Sequence, residues 1–159
     1  MLGEHRYEVA LEWQGDRGDG TSGYRAYGRQ HVVRAVGKLH EIAGSSDRVF
    51  HGDRERWNPE ELLLAALSQC HMLSYLHVAT NHGVIVRAYT DAATGTLKED
   101  GRGGGAFTEV TLRPTVAVAD ASMLALADEL HAEAEQKCFI AASVAFPVRH
   151  EPASVVAVG

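Results

Sequence analysis

The chain has 159 residues of 45% hydrophobic composition, material for one ordinary core and one domain over residues 1–159, not for two independent ones. Its formal net charge of −6 and its scattered 15 Lys and Arg residues argue against nucleic acid or an anionic membrane surface as the partner. Residues 1–10 are charged and alternating rather than the apolar core of a signal peptide, and the longest apolar run falls short of a membrane span, so a cytoplasmic protein is expected.

Tyr7, Val9, Leu11 and Trp13 alternate with Glu8, Ala10 and Glu12, the period-two signature of a strand with one buried face. A Gly/Asp turn at residues 15–20 leads to a returning strand at 22–33 and a short third strand at 38–42, an antiparallel meander. Residues 43–57 form a polar loop that delivers the chain to a helix. Asn58 is a good N-cap, Pro59 fits the first helical position, and Glu61 stands where a capping box needs it. Every residue from 62 to 67 is apolar, and Cys70, Met72, Leu73, Leu76, Val78 and Ala79 continue the pattern until Asn81, His82 and Gly83 stop it. Such a helix runs roughly 35 Å at about 1.5 Å per residue and, apolar on every side, is expected to be surrounded by protein.

Beyond it, the β-branched run at residues 84–89 reads as a strand extended toward Leu97 past a turn at Gly95, and the glycines of 98–105 read as a mobile hairpin tip. Residues 107–118 alternate as one strand, in which Pro114 marks an edge or a bulge. Asp120 caps a second helix, with Met123, Leu124, Ala127, Leu130, His131 and Ala134 at helical spacing up to Lys137 and Cys138. Residues 143–149 are the last expected strand, and 152–159 carry no signal. The predicted class is α+β: antiparallel sheets, a long central buried helix and a second helix.

Two cysteines, Cys70 and Cys138, lie far apart in the sequence and fit no C-x-x-C spacing, so neither a permanent bridge nor a zinc site is expected. A cysteine in an apolar helix is by base rate a small hydrophobe. Here both have polar neighbours: Ser68, Gln69 and His71 flank Cys70, and Lys137 precedes Cys138. A reactive thiolate needs a nearby cation or hydrogen-bond donors, and Arg17, Arg25, Arg29, His71 and His131 are the candidates. His71, His77 and His82 are not spaced to share a helical face, which disfavours a metal site. His71 is expected to hydrogen-bond near the thiol and His131 to pack on its own helix. Trp57, Tyr75 and Phe139 either line an apolar pocket or belong to the core.

The stretch from Trp57 through Asn58, Pro59, Glu60 and Glu61 to Cys70 resembles the Asn-Pro-Glu-x-Leu…Cys signature of the OsmC/Ohr family of thiol-dependent hydroperoxide reductases. The Arg17-Gly18-Asp19-Gly20-Thr21 loop is similar to the arginine loop of its OsmC branch, and residues 134–143 resemble the segment that holds its second cysteine. The resemblance covers nearly the whole chain. It implies an OsmC-like fold, an intertwined homodimer with two sites at the interface, Cys70 as peroxidatic thiol, Cys138 as resolving thiol, and Arg17 and Glu60 as the pair that positions and activates Cys70. It also implies an organic hydroperoxide as substrate, a lipoyl-type dithiol or small thiol as reductant, and neither cofactor nor metal. The chain departs from the hydroperoxide-resistance branch in the Phe139-Ile140 that follows Cys138, where proline is common, and in His71 after Cys70, which suggests a divergent subgroup.

The ten residues between Glu60 and Cys70 span about 15 Å of straight helix, too far for one site. Either the helix breaks or Glu60 is supplied by the partner, in an antiparallel crossing of two such helices. Other readings of the same scaffold are a redox sensor, an apolar small-ligand binder, or a cysteine hydrolase or acyltransferase with His71 or His131 as base. The last is disfavoured because adjacent helical residues point about 100° apart.

Overall fold

The computed structural model describes residues 3–158; Met1 and Leu2 of the charged N-terminal stretch, and Gly159 of the C-terminal tail, lie outside the described residues. The chain falls into two compact units, Met1–Leu62 and Leu63–Gly159.

In the first unit β1 (Ala10–Trp13), β2 (His31–Arg34) and β3 (Ile42–Gly44) form the expected antiparallel meander in the order β1-β2-β3. Its register stacks Leu11 on Val33 and Val33 on Ile42 across one face. The returning strand is shorter than its alternation suggests, because residues 20–27 are spent on turns. Arg29 holds those turns: its guanidinium donates to the Tyr27 carbonyl at 2.6 Å and the Tyr24 carbonyl at 2.7 Å and lies over both rings. The third strand begins later than expected, after a left-handed Gly37 (φ 78°). The apolar face is not buried within its own unit: Tyr7, Val9, Leu11 and Trp13 are all exposed, Leu11 at 67%.

Helix α1 spans Pro59–Asn81 without a break. Its start is a complete capping box, with the Glu61 N–H donating to Asn58 Oδ1 at 2.8 Å and the Asn58 N–H donating to Glu61 Oε2 at 3.4 Å. Taken whole, this helix is long and apolar enough to cross a membrane, although its uninterrupted apolar run is only the short one at residues 62–67. One side of it is committed to protein: Leu67, His71, Tyr75, Val78 and Ala79 are buried. It is not buried all round, since Leu73 on another side is 61% exposed.

The second unit contains two three-stranded sheets of mixed direction. One has the order β4-β7-β9, from β4 (Val86–Asp91), β7 (Pro114–Val118) and β9 (Ala153–Val156). The other has the order β5-β6-β8, from β5 (Thr94–Glu99), β6 (Gly105–Leu112) and β8 (Val148–His150). The outer pairs β4–β7 and β5–β6 are antiparallel, and β8 and β9 join in parallel. The single strand expected over 107–118 is therefore two, which part at Arg113 into different sheets. Pro114, lacking an N–H, opens the second of them. Gly95 is no turn. It lies inside β5, where a Cβ would stand 2.8 Å from the Phe107 ring, so the glycine permits close packing. The last expected strand shrinks to β8, and β9 emerges from the tail that carried no signal.

Helix α2 (Leu124–Gln136) follows a short turn of 3-10 helix capped by Asp120, whose carboxylate accepts the Ser122 N–H at 2.8 Å. Tyr75, Val78 and Ala79 of α1 pack with Val116 and Val118 of β7 and with Ala127, Leu130 and Ala134 of α2. A second cluster gathers Val110 and Leu112 of β6 around Leu67.

Candidate active site

Cys70 lies on α1, half-buried, and Cys138 follows Lys137, the residue that closes α2, with 2% of its surface exposed. The Cys138 N–H donates to the Glu135 carbonyl at 3.2 Å, which fixes it to the last turn of the helix. Both thiols are free, and Cys70 shares a groove with Lys137 and Phe139, the chain neighbours of Cys138. The Cys138 thiol is pushed up to about 11, first by burial and then by the neighbouring Cys70 thiol; the Ala141 and Ile140 N–H groups offset this only in part. Cys138 thus holds its proton at neutral pH. Cys70 opens onto a groove of about 610 Å³ lined by Leu73, His77, Lys137 and Phe139. Of the three aromatics considered above, Phe139 lines this groove, Tyr75 is core and Trp57 is exposed in the first unit.

Behind the thiol, on the inward side of α1, three histidines from three elements come together. His71 Nε2 and His131 Nδ1 are hydrogen-bonded at 3.0 Å, the His150 ring leans over His71 at 4.2 Å, and Tyr75 stacks on His131 at 4.1 Å. His131 therefore packs against α1 rather than on its own helix, a correction to the sequence reading. Burial, followed by His150 and His131, holds His71 down at about 3. Burial and His150 hold His131 at about 4, against the opposing pull of Asp128 and Asp91. Both are neutral at pH 7. His71 Nδ1, His131 Nε2 and both nitrogens of His150 are buried without a hydrogen-bond partner among the described residues. Two rings meet edge to edge and the third leans over one of them, so the three do not converge on one point as metal ligands would. His150 was not legible beforehand: nothing in the sequence distinguishes it from a surface histidine at a strand end.

The other two predicted site residues lie in the first unit. Asp16 shapes the Arg17 loop, its Oδ1 accepting the N–H groups of Gly18 and Gly20 at 2.9 Å each, with both glycines at positive φ. Arg17 is exposed and lines a polar cavity of about 530 Å³ with Gln30, Arg48, His51, Asp53 and Arg54. Glu60 stands in the first turn of α1, half-buried, and its Oε2 has no hydrogen-bond partner among the described residues. Arg17 and Glu60 form no ion pair with each other among the described residues.

Residues 51–152 match the family described as OsmC-like protein. An OsmC-like protein of Vibrio cholerae, itself of unknown function, is 30% identical to this chain; the match covers 94% of this chain and 99% of that one with a TM-score of 0.82. This chain belongs to the OsmC-like family. More distant structures share the OsmC-like fold. An organic hydroperoxide resistance protein of Elizabethkingia anophelis is 17% identical with a TM-score of 0.66, covering 98% of this chain and 100% of that one. One of Legionella pneumophila is 19% identical with a TM-score of 0.67, covering 97% and 100%. No curated protein matches. The α+β class and the OsmC-like architecture read from the sequence are thereby established.

Proposed function

We propose that this OsmC-like chain is a cytoplasmic, dithiol-dependent peroxidase that reduces organic hydroperoxides to alcohols. The observation that carries the reading is a half-buried Cys70 opening onto an apolar groove whose wall includes Lys137 and Phe139, the two residues that flank the buried Cys138. The organic hydroperoxide resistance proteins that share the fold support the same substrate class.

In the proposed cycle the Cys70 sulfur attacks the distal oxygen of R–O–O–H; the O–O bond breaks, the alcohol leaves with a proton, and Cys70 becomes a sulfenic acid. The Cys138 sulfur then attacks the Cys70 sulfur, water departs, and a disulfide forms. A dithiol returns both thiols to the reduced state and is itself oxidised, so two electrons pass from dithiol to peroxide. Leu73 and Phe139 in the groove suit an apolar R group.

Arg17 and Glu60 complete the site in this reading, with the carboxylate holding the guanidinium. Because α1 is unbroken, the partner subunit of a homodimer is the proposed source of the pair for each Cys70. The buried, unpartnered Glu60 Oε2 and the exposed face of Leu11 and Ile42 support such a partner. The two units are read together as one OsmC-like domain. A second reading, a redox sensor or binder of apolar small ligands, draws on the same groove, and turnover separates the two.

Peptide mass mapping after an equimolar pulse of cumene hydroperoxide tests the proposal. A Cys70–Cys138 disulfide that forms within seconds and is erased by dihydrolipoamide is expected. Cys70→Ser should abolish turnover, and Cys138→Ser should stop at a sulfenic acid trapped on Cys70 by dimedone. Full turnover in Cys138→Ser removes the resolving role, and cysteines that stay reduced throughout remove the peroxidase.

A further inference from the structure

One thiol sits on α1 and the other just past the cap of α2, and three side chains of α1 tie those helices together. His71 Nε2 is hydrogen-bonded to His131 Nδ1 at 3.0 Å, Tyr75 Oη donates to the Ala127 carbonyl at 2.9 Å, and Ser74 Oγ donates to the Lys137 carbonyl at 3.2 Å. Positions 71, 74 and 75 follow the i, i+3, i+4 rule, so they form one stripe of α1, and their partners lie on α2 or at its C-terminal cap. The stripe begins next to Cys70, and its Lys137 contact is next to Cys138. Apolar attraction between two helices resists separation but, being non-directional, is comparatively indifferent to a small shift of one helix on the other. Hydrogen bonds with fixed partners are not indifferent.

We infer that His71, Ser74 and Tyr75 are positioning residues: their hydrogen bonds to α2 and its cap fix the placement of the two helices that brings Cys70 to Cys138, with the His71–His131 bond as the principal rung. This rests on the proposed pairing of the two thiols. The bond is the principal rung because it alone is fully buried at both side chains, where an amide or imidazole left without its partner costs most. It also carries a condition. One ring must donate and the other accept, which two neutral histidines satisfy and two charged ones do not. The groups facing the rung are Tyr75 on α1, stacked on His131, His150 on β8, Asp128 on α2 and Asp91 on β4, with Glu135 of α2 acting on His150.

The measurement is the equilibrium of the full-length protein with reduced and oxidised dithiothreitol, quenched with acid and read by mass as the fraction of Cys70–Cys138 disulfide. His71→Gln keeps a donor or acceptor close to the place of Nε2 and should hold the equilibrium within about twofold of wild type. The double variant His71→Leu/His131→Leu replaces both partners with apolar side chains, which conserves much of the packing while removing the rung. It should lower the equilibrium constant for the disulfide by roughly tenfold, equivalent to about 1.4 kcal/mol. Ser74→Ala, a change at the edge of the stripe, should lower it a few-fold even if the double variant fails to fold. Unchanged equilibrium in Ser74→Ala, or in a double variant that melts cooperatively, overturns the positioning role while the thiol pairing stands. A wild-type protein that forms no Cys70–Cys138 disulfide at any dithiothreitol ratio overturns the pairing, and the inference with it.

Discussion

Strands β1 and β7 carry the same alternation of apolar and polar residues and meet opposite fates. Val116 and Val118 of β7 are fully buried beneath residues of α1 and α2, whereas Leu11 of β1 is 67% exposed with Val33 and Ile42 beside it on the same face. Period-two patterning reports that a face wants cover; it does not say what covers it. In the second unit the cover is two helices of the same chain. Among the described residues no element of the first unit buries the corresponding face there, and exposed apolar faces of this kind are typical of interaction surfaces. The proposed homodimer is the cover that fits it.

The largest effect that would sharpen this contrast is expected in the covered region. Leu67→Ala empties a fully buried position between β6 and α1 and should cost about 2–5 kcal/mol in a urea melt; a loss below 1 kcal/mol would show that the cluster around Leu67 is not a packed core. Acid acts on the same region. His71 and His131 are held at about 3 and about 4 when folded and titrate near 6.5 once unfolded, so the unfolded chain binds more protons between these values. The stability they confer is complete above pH 6.5 and is lost as pH falls toward 4, at about 1.4 kcal/mol per pH unit for each histidine. Urea midpoints between pH 7 and pH 4.5 should show that slope, and His131→Gln should reduce it by about half. The smallest effect is expected at the uncovered face. Leu11→Glu should weaken self-association at least about tenfold, roughly 1.4 kcal/mol, in sedimentation, with little change in the melt of the second unit. A wild-type chain that sediments as a monomer at all concentrations would remove the proposed cover altogether.

Features encoded locally were the legible ones. Asn58, Pro59 and Glu61 announced the start of α1 because capping chemistry acts over three residues, and both hydrogen bonds of the box are present. Asp120 announced α2 in the same way. Long-range choices were not legible. Residues 107–118 alternate without interruption, and only the assignment of β6 and β7 to different sheets reveals the break at Arg113. Gly95 resembled a turn because glycine serves both turns and tight packing, and the Phe107 ring decides between them only in three dimensions. Of the site, Cys70 and Cys138 stood out through their polar neighbours. The meeting of His71, His131 and His150 depends on three elements that no spacing rule connects.

The parallel edges β8 and β9 have a consequence for how the protein is made. Each joins a centre strand completed much earlier in the chain, β6 and β7 respectively, and both lie within residues 148–156. Neither sheet of the second unit can acquire its third strand until that short segment has left the ribosome. Pairings of such long sequence separation form late and slowly. A nascent chain that has already built α1 and α2 must wait with two unfinished sheet edges, a state in which strand-pairing between neighbouring chains is most easily started.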